Sequence, residues 1–175
     1  MNDSLIKIGF GGGCHWCTEA VFQSLLGVEK VEQGFIASVA ENTLFSEAVI
    51  VHFNAEKISL STLTEIHLHT HKSTVDHSMR AKYRSAIYTF SQEQQTEATK
   101  ILEKLQDEFE DKVITKVYPF NTFKPSREEI TNYYYSNPKK PFCEQFINPK
   151  LNVLLTRFSQ NVDSAKLKNS KNGLS

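Results

Sequence analysis

The sequence predicts an α+β protein: a ferredoxin-like two-layer sandwich with a split β-α-β core and a long C-terminal loop extension. Three observations carry that prediction. Short apolar runs and amphipathic stretches succeed one another as strand, helix, strand, strand, helix, strand, helix, strand. The chain has 175 residues, enough for one domain with a sizeable core. All five prolines, Pro119, Pro125, Pro138, Pro141 and Pro149, fall after that series.

Residues 5–10 read as a buried strand, and Gly11, Gly12 and Gly13 follow as a tight turn. From Trp16 to Leu26 the apolar positions Ala20, Phe22, Leu25 and Leu26 predict a helix, with Gly27 at its C-cap. Strands are predicted at 28–37 and 48–53, joined through a Glu-Asn-Thr turn. A helix over 59–70 opens with a serine cap, and 85–90 is strand-like. In the long helix 92–109, Ala98, Ile101, Leu102, Leu105 and Phe109 share one face, and 113–118 forms a further strand. The proline-bearing segment 118–155 is expected to wrap the core as an ordered loop. The polar, Lys- and Asn-rich residues 159–175 are expected to be a disordered tail beyond a domain of residues 1–158.

Composition removes some function classes. Twenty basic and 20 acidic side chains cancel, so no global field favours nucleic acid or an anionic membrane as partner. No leader or bilayer-length apolar run is evident, which makes a cytoplasmic location the expectation. Three cysteines are too few for a secreted disulfide framework and point to a redox or catalytic thiol in a reducing compartment. Without a heptad or a long apolar stripe, a monomer is expected.

The chemistry concentrates in Cys14-His15-Trp16-Cys17, set between the glycine turn and the first helix. A thiol at a helix N-terminus meets unpaired N–H groups and the positive end of the helix dipole, both of which favour thiolate. Cys14 is therefore a candidate nucleophile, and the other reading is a pair of small buried hydrophobes. The alternating His67, His69 and His71, with His77 close behind, invite a zinc reading. On a helix that spacing spreads the imidazoles around the axis, so a solvated helix end is preferred and neither metal nor cofactor is expected.

The run from Gly12 to Phe22 resembles the Gly-Cys-Phe-Trp-(Gly or Cys)-x-Glu signature of the A-type peptide methionine sulfoxide reductases. Ser46-Glu47-Ala48-Val49 resembles the family's Ala-Glu-Ala-Val strand, and Tyr83 to Tyr88 its Gln-Tyr-Arg-Ser-Ala-Ile-Tyr strand. Phe142-Cys143 to Pro149-Lys150-Leu151 resembles its C-terminal Tyr-Cys to Pro-Lys-Leu segment, so the likeness spans about residues 5–155. It implies a catalytic domain that reduces methionine-S-sulfoxide, free or peptide-bound, with thioredoxin or a similar dithiol as partner.

In that scheme Cys14 attacks sulfur, and Glu47, expected to be desolvated in an apolar stretch, supplies a proton to the oxygen. Tyr83 adds a hydrogen bond to that oxygen, and Trp16 walls the methyl group. Residue pattern alone leaves Glu47 as an outward strand residue, Tyr83 as a half-buried strand aromatic and Trp16 as core. The resulting sulfenic acid is resolved by Cys143, with Cys17 as the alternative thiol.

The substrate-binding positions depart from the pattern. His15 replaces the pocket phenylalanine, Phe35 replaces a tyrosine and so lacks a hydroxyl, and Ser78 replaces an aspartate, with Arg80 two places on. Leu44-Phe45 replaces Gly-His, and Glu129-Ile130 replaces a Tyr-His pair. Such changes leave room for a different sulfoxide substrate, or for a non-catalytic redox sensor or binding module.

Overall fold

The structure is a computed structural model and describes residues 5–167. Strands β1 (Leu5–Gly11), β2 (Val28–Ala37), β3 (Ser46–Asn54), β4 (Ala86–Thr89), β5 (Lys116–Pro119) and β6 (Thr122–Pro125) form one sheet in the order β5-β4-β1-β3-β2-β6. Its four central strands are antiparallel neighbours. Helix α1 (His15–Gln23) follows β1 and α2 (Leu60–His69) follows β3, which is the expected split β-α-β core. The crossover through α3 (Gln92–Leu105) brings β5 parallel to β4, and β6 closes the opposite edge antiparallel to β2.

The central strands read as near-continuous apolar runs because both sheet faces are covered. On the helical face Ile8, Phe10, Val49, Val51 and Ile87 pack against Val21, Phe22, Leu63 and Ile66. On the other face Ile36, Ala48, Ile50, Ala86 and Tyr88 form a smaller cluster closed by Phe90, Tyr118, Phe120 and Phe123. Serine caps open two helices as their sequences require: Ser59 accepts from the Thr62 N–H, and Ser91 from the Gln94 N–H.

Three expectations are corrected. Helix α1 stops at Gln23 and not at Leu26, because Ser24 turns its hydroxyl back to the Ala20 carbonyl at 2.7 Å and Leu25 pairs with Val162. Gly27, at φ +89°, serves the turn into β2 rather than the helix cap. The proline-bearing segment is not a plain loop. It contributes β6, a short helix α4 (Tyr133–Ser136), a π-helical turn (Cys143–Ile147) and helix α5 (Asn148–Arg157), with Pro149 in the first turn of α5, where a missing N–H costs nothing.

The tail expected from residue 159 onward packs instead through Leu167, with Val162 and Leu167 buried in the main core; residues 168–175 lie outside the described part. Among the described residues no helix is long and apolar enough to cross a membrane.

Candidate active site

The sheet register assembles the site. Gly11, at the end of β1, pairs with Ala48 near the start of β3 on one side and with Ala86 at the start of β4 on the other. Residues just beyond these three points, Cys14, Glu47 and Tyr83, therefore share one sheet edge, though 69 positions separate the first from the last. The chain turns from β1 into α1 at Gly12, whose φ of +154° suits glycine; a Cβ there would lie 2.5 Å from the His71 ring. Around Gly13 the space is open within 4 Å, so a ligand can approach the backbone.

Cys14 is the N-cap of α1, and its carbonyl accepts from the Cys17 and Thr18 N–H groups at 3.1 and 3.2 Å. Its thiol ionises below the ordinary range. The Cys17 thiol, donating a hydrogen bond to it, is the main cause; burial opposes the shift, and the Trp16 N–H assists it. Cys17 is pushed far up by that same bond and by its burial, so it stays protonated as the donor. The Lys150 ammonium, hydrogen-bonded to the Thr70 carbonyl at the end of α2, acts on both thiols, while desolvation lowers its own ionisation.

Glu47 is buried, but not among apolar groups as expected. Its Oε1 accepts from the His15 backbone N–H at 3.1 Å and lies 3.5 Å from His15 Nε2, while Lys82 Nζ stands 3.6 Å from Oε2. The imidazole of His15 is itself buried, with Nδ1 2.8 Å from the Gly34 carbonyl and its face edge-on to Phe35 at 5.1 Å. Lys82 also reaches Tyr83, chiefly by a hydrogen bond that raises the lysine's ionisation, and lies over its ring at 5.1 Å. One ammonium thus ties the candidate acid to the candidate oxygen-binding phenol.

Trp16 stacks flat on Tyr133 at 4.0 Å and meets Phe142 edge-on at 5.3 Å, forming an aromatic wall beside the nucleophile. That wall is held by Glu19, 1 % exposed, whose carboxylate accepts from the Asn132 and Tyr133 N–H groups at 2.8 and 3.0 Å and from Gln33 Nε2 at 3.0 Å. Burial raises the ionisation of Glu19 against those three bonds. The Ile130 carbonyl accepts from the same Gln33 amide, at 3.1 Å.

Cys143 is fully buried on the π-helical turn, with Sγ 3.6 Å from the Asn137 carbonyl, and burial raises its thiol. Cys17 and Cys143 are buried in the same hydrophobic core, Cys14 packs against it, and all three cysteines are free.

Not every sequence candidate joins this arrangement. Ser78 sits exposed on the turn before β4, and its hydroxyl makes no hydrogen bond among the described residues. Arg80 faces backbone, its guanidinium donating to the carbonyls of Gly12, Lys72, Val75 and Tyr83, and so clamps the turn to the glycine loop. The three histidines do not converge on one point. The His67 ring packs on Phe10 at 4.7 Å and stacks on His71 at 4.2 Å, His71 meets Ser85 at 2.8 Å, and His69 meets Glu108 at 2.7 Å.

Sequence reasoning assigned no role to Lys82, Glu19, Tyr133 or Lys150. Lys82 was legible as the residue replacing glutamine just before Tyr83, and Glu19 and Lys150 stood inside quoted motifs. Tyr133 carried no local signal.

An activated thiol at a helix N-terminus, a buried carboxylate hydrogen-bonded to that helix and two further thiols in the core beneath it define a thiol-dependent reductase. The sequence profile described as peptide methionine sulfoxide reductase matches residues 6–162. A peptide methionine sulfoxide reductase of Acinetobacter baumannii strain SDF is 34% identical over 163 residues, covering 85% of this chain and 93% of that protein. One from Deinococcus radiodurans is 37% identical over 158 residues, covering 81% and 77%. The crystal structure of Mxr1 from Saccharomyces cerevisiae in reduced form superposes with a TM-score of 0.70 at 25% identity, covering 80% and 90% of the two chains. Mxr1 in complex with Trx2 shares the fold with a TM-score of 0.60 at 23% identity, over 72% and 84%. This chain belongs to the peptide methionine sulfoxide reductase family, and it is an oxidoreductase.

Proposed function

We propose that the chain reduces the S epimer of methionine sulfoxide, free or peptide-bound, by direct attack of Cys14 on sulfur. The observation that carries this reading is Cys14 at the N-cap of α1 beside the open glycine turn, with the Cys17 thiol lowering its pKa. The substrate methyl group rests on Trp16 with Tyr133 behind it, and the oxygen lies toward Glu47 and Tyr83. Cys14 S⁻ bonds to the substrate sulfur as Glu47 gives its proton to the sulfoxide oxygen. The hydroxyl then passes to the Cys14 sulfur as the new S–S bond breaks, which releases the thioether and leaves Cys14 as a sulfenic acid.

Cys143 then condenses with that sulfenic acid, releasing water and leaving a Cys14–Cys143 disulfide. Cys17, kept protonated, serves as the hydrogen-bond donor and is the weaker candidate for this step. Cys143 lies on the π-helical turn, and among the described residues its sulfur makes one hydrogen bond, a long contact to the Asn137 carbonyl. A dithiol protein of the thioredoxin kind restores the thiols, a role in keeping with Mxr1 having been crystallised in complex with Trx2. The cycle needs a reducing compartment, so the cytoplasm and a monomeric state complete the proposal, as does the absence of any metal or cofactor step.

The test is reduction of the S and R epimers of a blocked methionine sulfoxide, with dithiothreitol and then thioredoxin, by the native chain and by Cys14→Ser. Turnover of the S epimer alone, abolished in the variant, is expected. Equal turnover by Cys14→Ser overturns the reading.

A further inference from the structure

We propose that His15 and Glu47 hold one proton between them and deliver it as a unit to the sulfoxide oxygen, His15 supplying what Phe35, without a hydroxyl, cannot. The inference rests on the reductase reading of the site and adds to it a positioning residue that acts through Glu47.

The argument starts from the imidazole's fixed hydrogen bond. Nδ1 lies 2.8 Å from the Gly34 carbonyl, an oxygen that only accepts, so Nδ1 carries hydrogen. Nε2 then faces Glu47 Oε1 at 3.5 Å in a place where His15 is 5 % and Glu47 7 % exposed. A bare Nε2 lone pair opposite a bare carboxylate would set two acceptors against each other in a poorly solvated site. The arrangement is satisfied when one proton lies between them, on imidazole or on carboxyl. Phe35, edge-on to the ring at 5.1 Å, keeps the imidazole in this orientation.

The other charged groups around the pair fix its direction of discharge. Lys82 approaches Oε2 from the turn before β4, with its side chain 56% exposed, so that oxygen faces the opening. Cys14 senses the Glu47 charge from the start of α1, and Glu19 senses His15 from within that helix. The one proton passes from imidazole Nε2 to the carboxyl and on to the substrate oxygen, leaving neutral imidazole beside carboxylate. The step balances: thiolate, sulfoxide and the pair's proton give sulfenic acid and thioether. Cys14 sulfur is oxidised by two electrons, and substrate sulfur is reduced by two.

The experiment compares single-turnover reduction by the native chain, His15→Phe and His15→Gln between pH 5.5 and 9, with the pH dependence of Cys14 alkylation as control. Phenylalanine restores the ring that the family pattern places there, and glutamine keeps polarity but carries no exchangeable charge.

Both variants are expected to lose rate earlier on the alkaline side, falling at least about tenfold below the native chain at pH 8 while staying within about threefold at pH 5.5, with the alkylation curve unmoved. A loss by the same factor at every pH, profiles that overlay the native one, or a shift reproduced in the alkylation curve overturns the pair. If the native chain forms no methionine at all, the reductase reading itself has failed, a result distinct from any of these.

Discussion

Replacing Cys17 by alanine removes the donor that keeps Cys14 ionised, and the size of the effect can be worked out. A hydrogen bond to a charged group contributes about 1.5–3 kcal/mol. At about 1.4 kcal/mol per factor of ten, the thiolate-to-thiol ratio of Cys14 should fall roughly tenfold to a hundredfold at a given pH. The Trp16 N–H remains, so the thiol does not revert fully. The assay is thiolate absorbance near 240 nm, together with the rate of iodoacetamide alkylation against pH. For Cys17→Ala the alkylation midpoint moves up, and sulfoxide reduction near neutral pH falls about tenfold or more. Cys17→Ser keeps a donor and retains most of the shift. An unmoved midpoint in Cys17→Ala, or a serine variant indistinguishable from the alanine one, would refute the reasoning.

Other consequences follow from the same geometry. In Cys143→Ser, one methionine forms per chain and the sulfenic acid on Cys14 persists long enough to be captured by dimedone; thioredoxin-driven turnover then falls by about tenfold or more. Glu19→Gln sets an amide donor against the Asn132 N–H or, flipped, against the Tyr133 N–H and the Gln33 amide, costing about 1–3 kcal/mol and lowering the melting temperature by several degrees. Gly12→Ala, forced to place a methyl group 2.5 Å from the His71 ring, should displace the nucleophile loop and cost more activity than Gly13→Ala, where the space is open.

Burial lowers His71 from 6.5 to about 3, so its contribution to stability is complete above pH 6.5 and is lost as pH falls toward 3, because the unfolded chain binds the proton first. Denaturant unfolding between pH 6.5 and 4.5 should show a slope of about 1.4 kcal/mol per pH unit from this group, and His71→Gln should flatten it by that amount.

Sequence alone determined the α+β class, the element order as far as β5, and the placing of a cysteine at the start of the first helix. These signals are local. Periodicity reports which face is buried, three glycines before an amphipathic run announce a turn into a helix, and a cysteine there meets unpaired N–H groups wherever the chain goes next.

What the tertiary structure decided is what lies opposite what. Glu47 read as a desolvated acid because its sequence neighbours are apolar. It is in fact surrounded by the His15 N–H and imidazole and by Lys82, which arrive from a helix and from a turn 35 positions on. Arg80 read as a pocket residue, yet it spends its donors on backbone carbonyls. Cys17 looked like a possible resolving thiol by spacing, while its burial and its lowering of the Cys14 pKa exist only in the folded chain. The Trp16–Tyr133 stack and the packed segment through Leu167 had no periodic signature, because irregular chain is shaped by the core it covers and not by its own pattern. Charge environments and ring stacks are sums over residues distant in sequence, so they exist only once the sheet register has set Gly11 between Ala48 and Ala86.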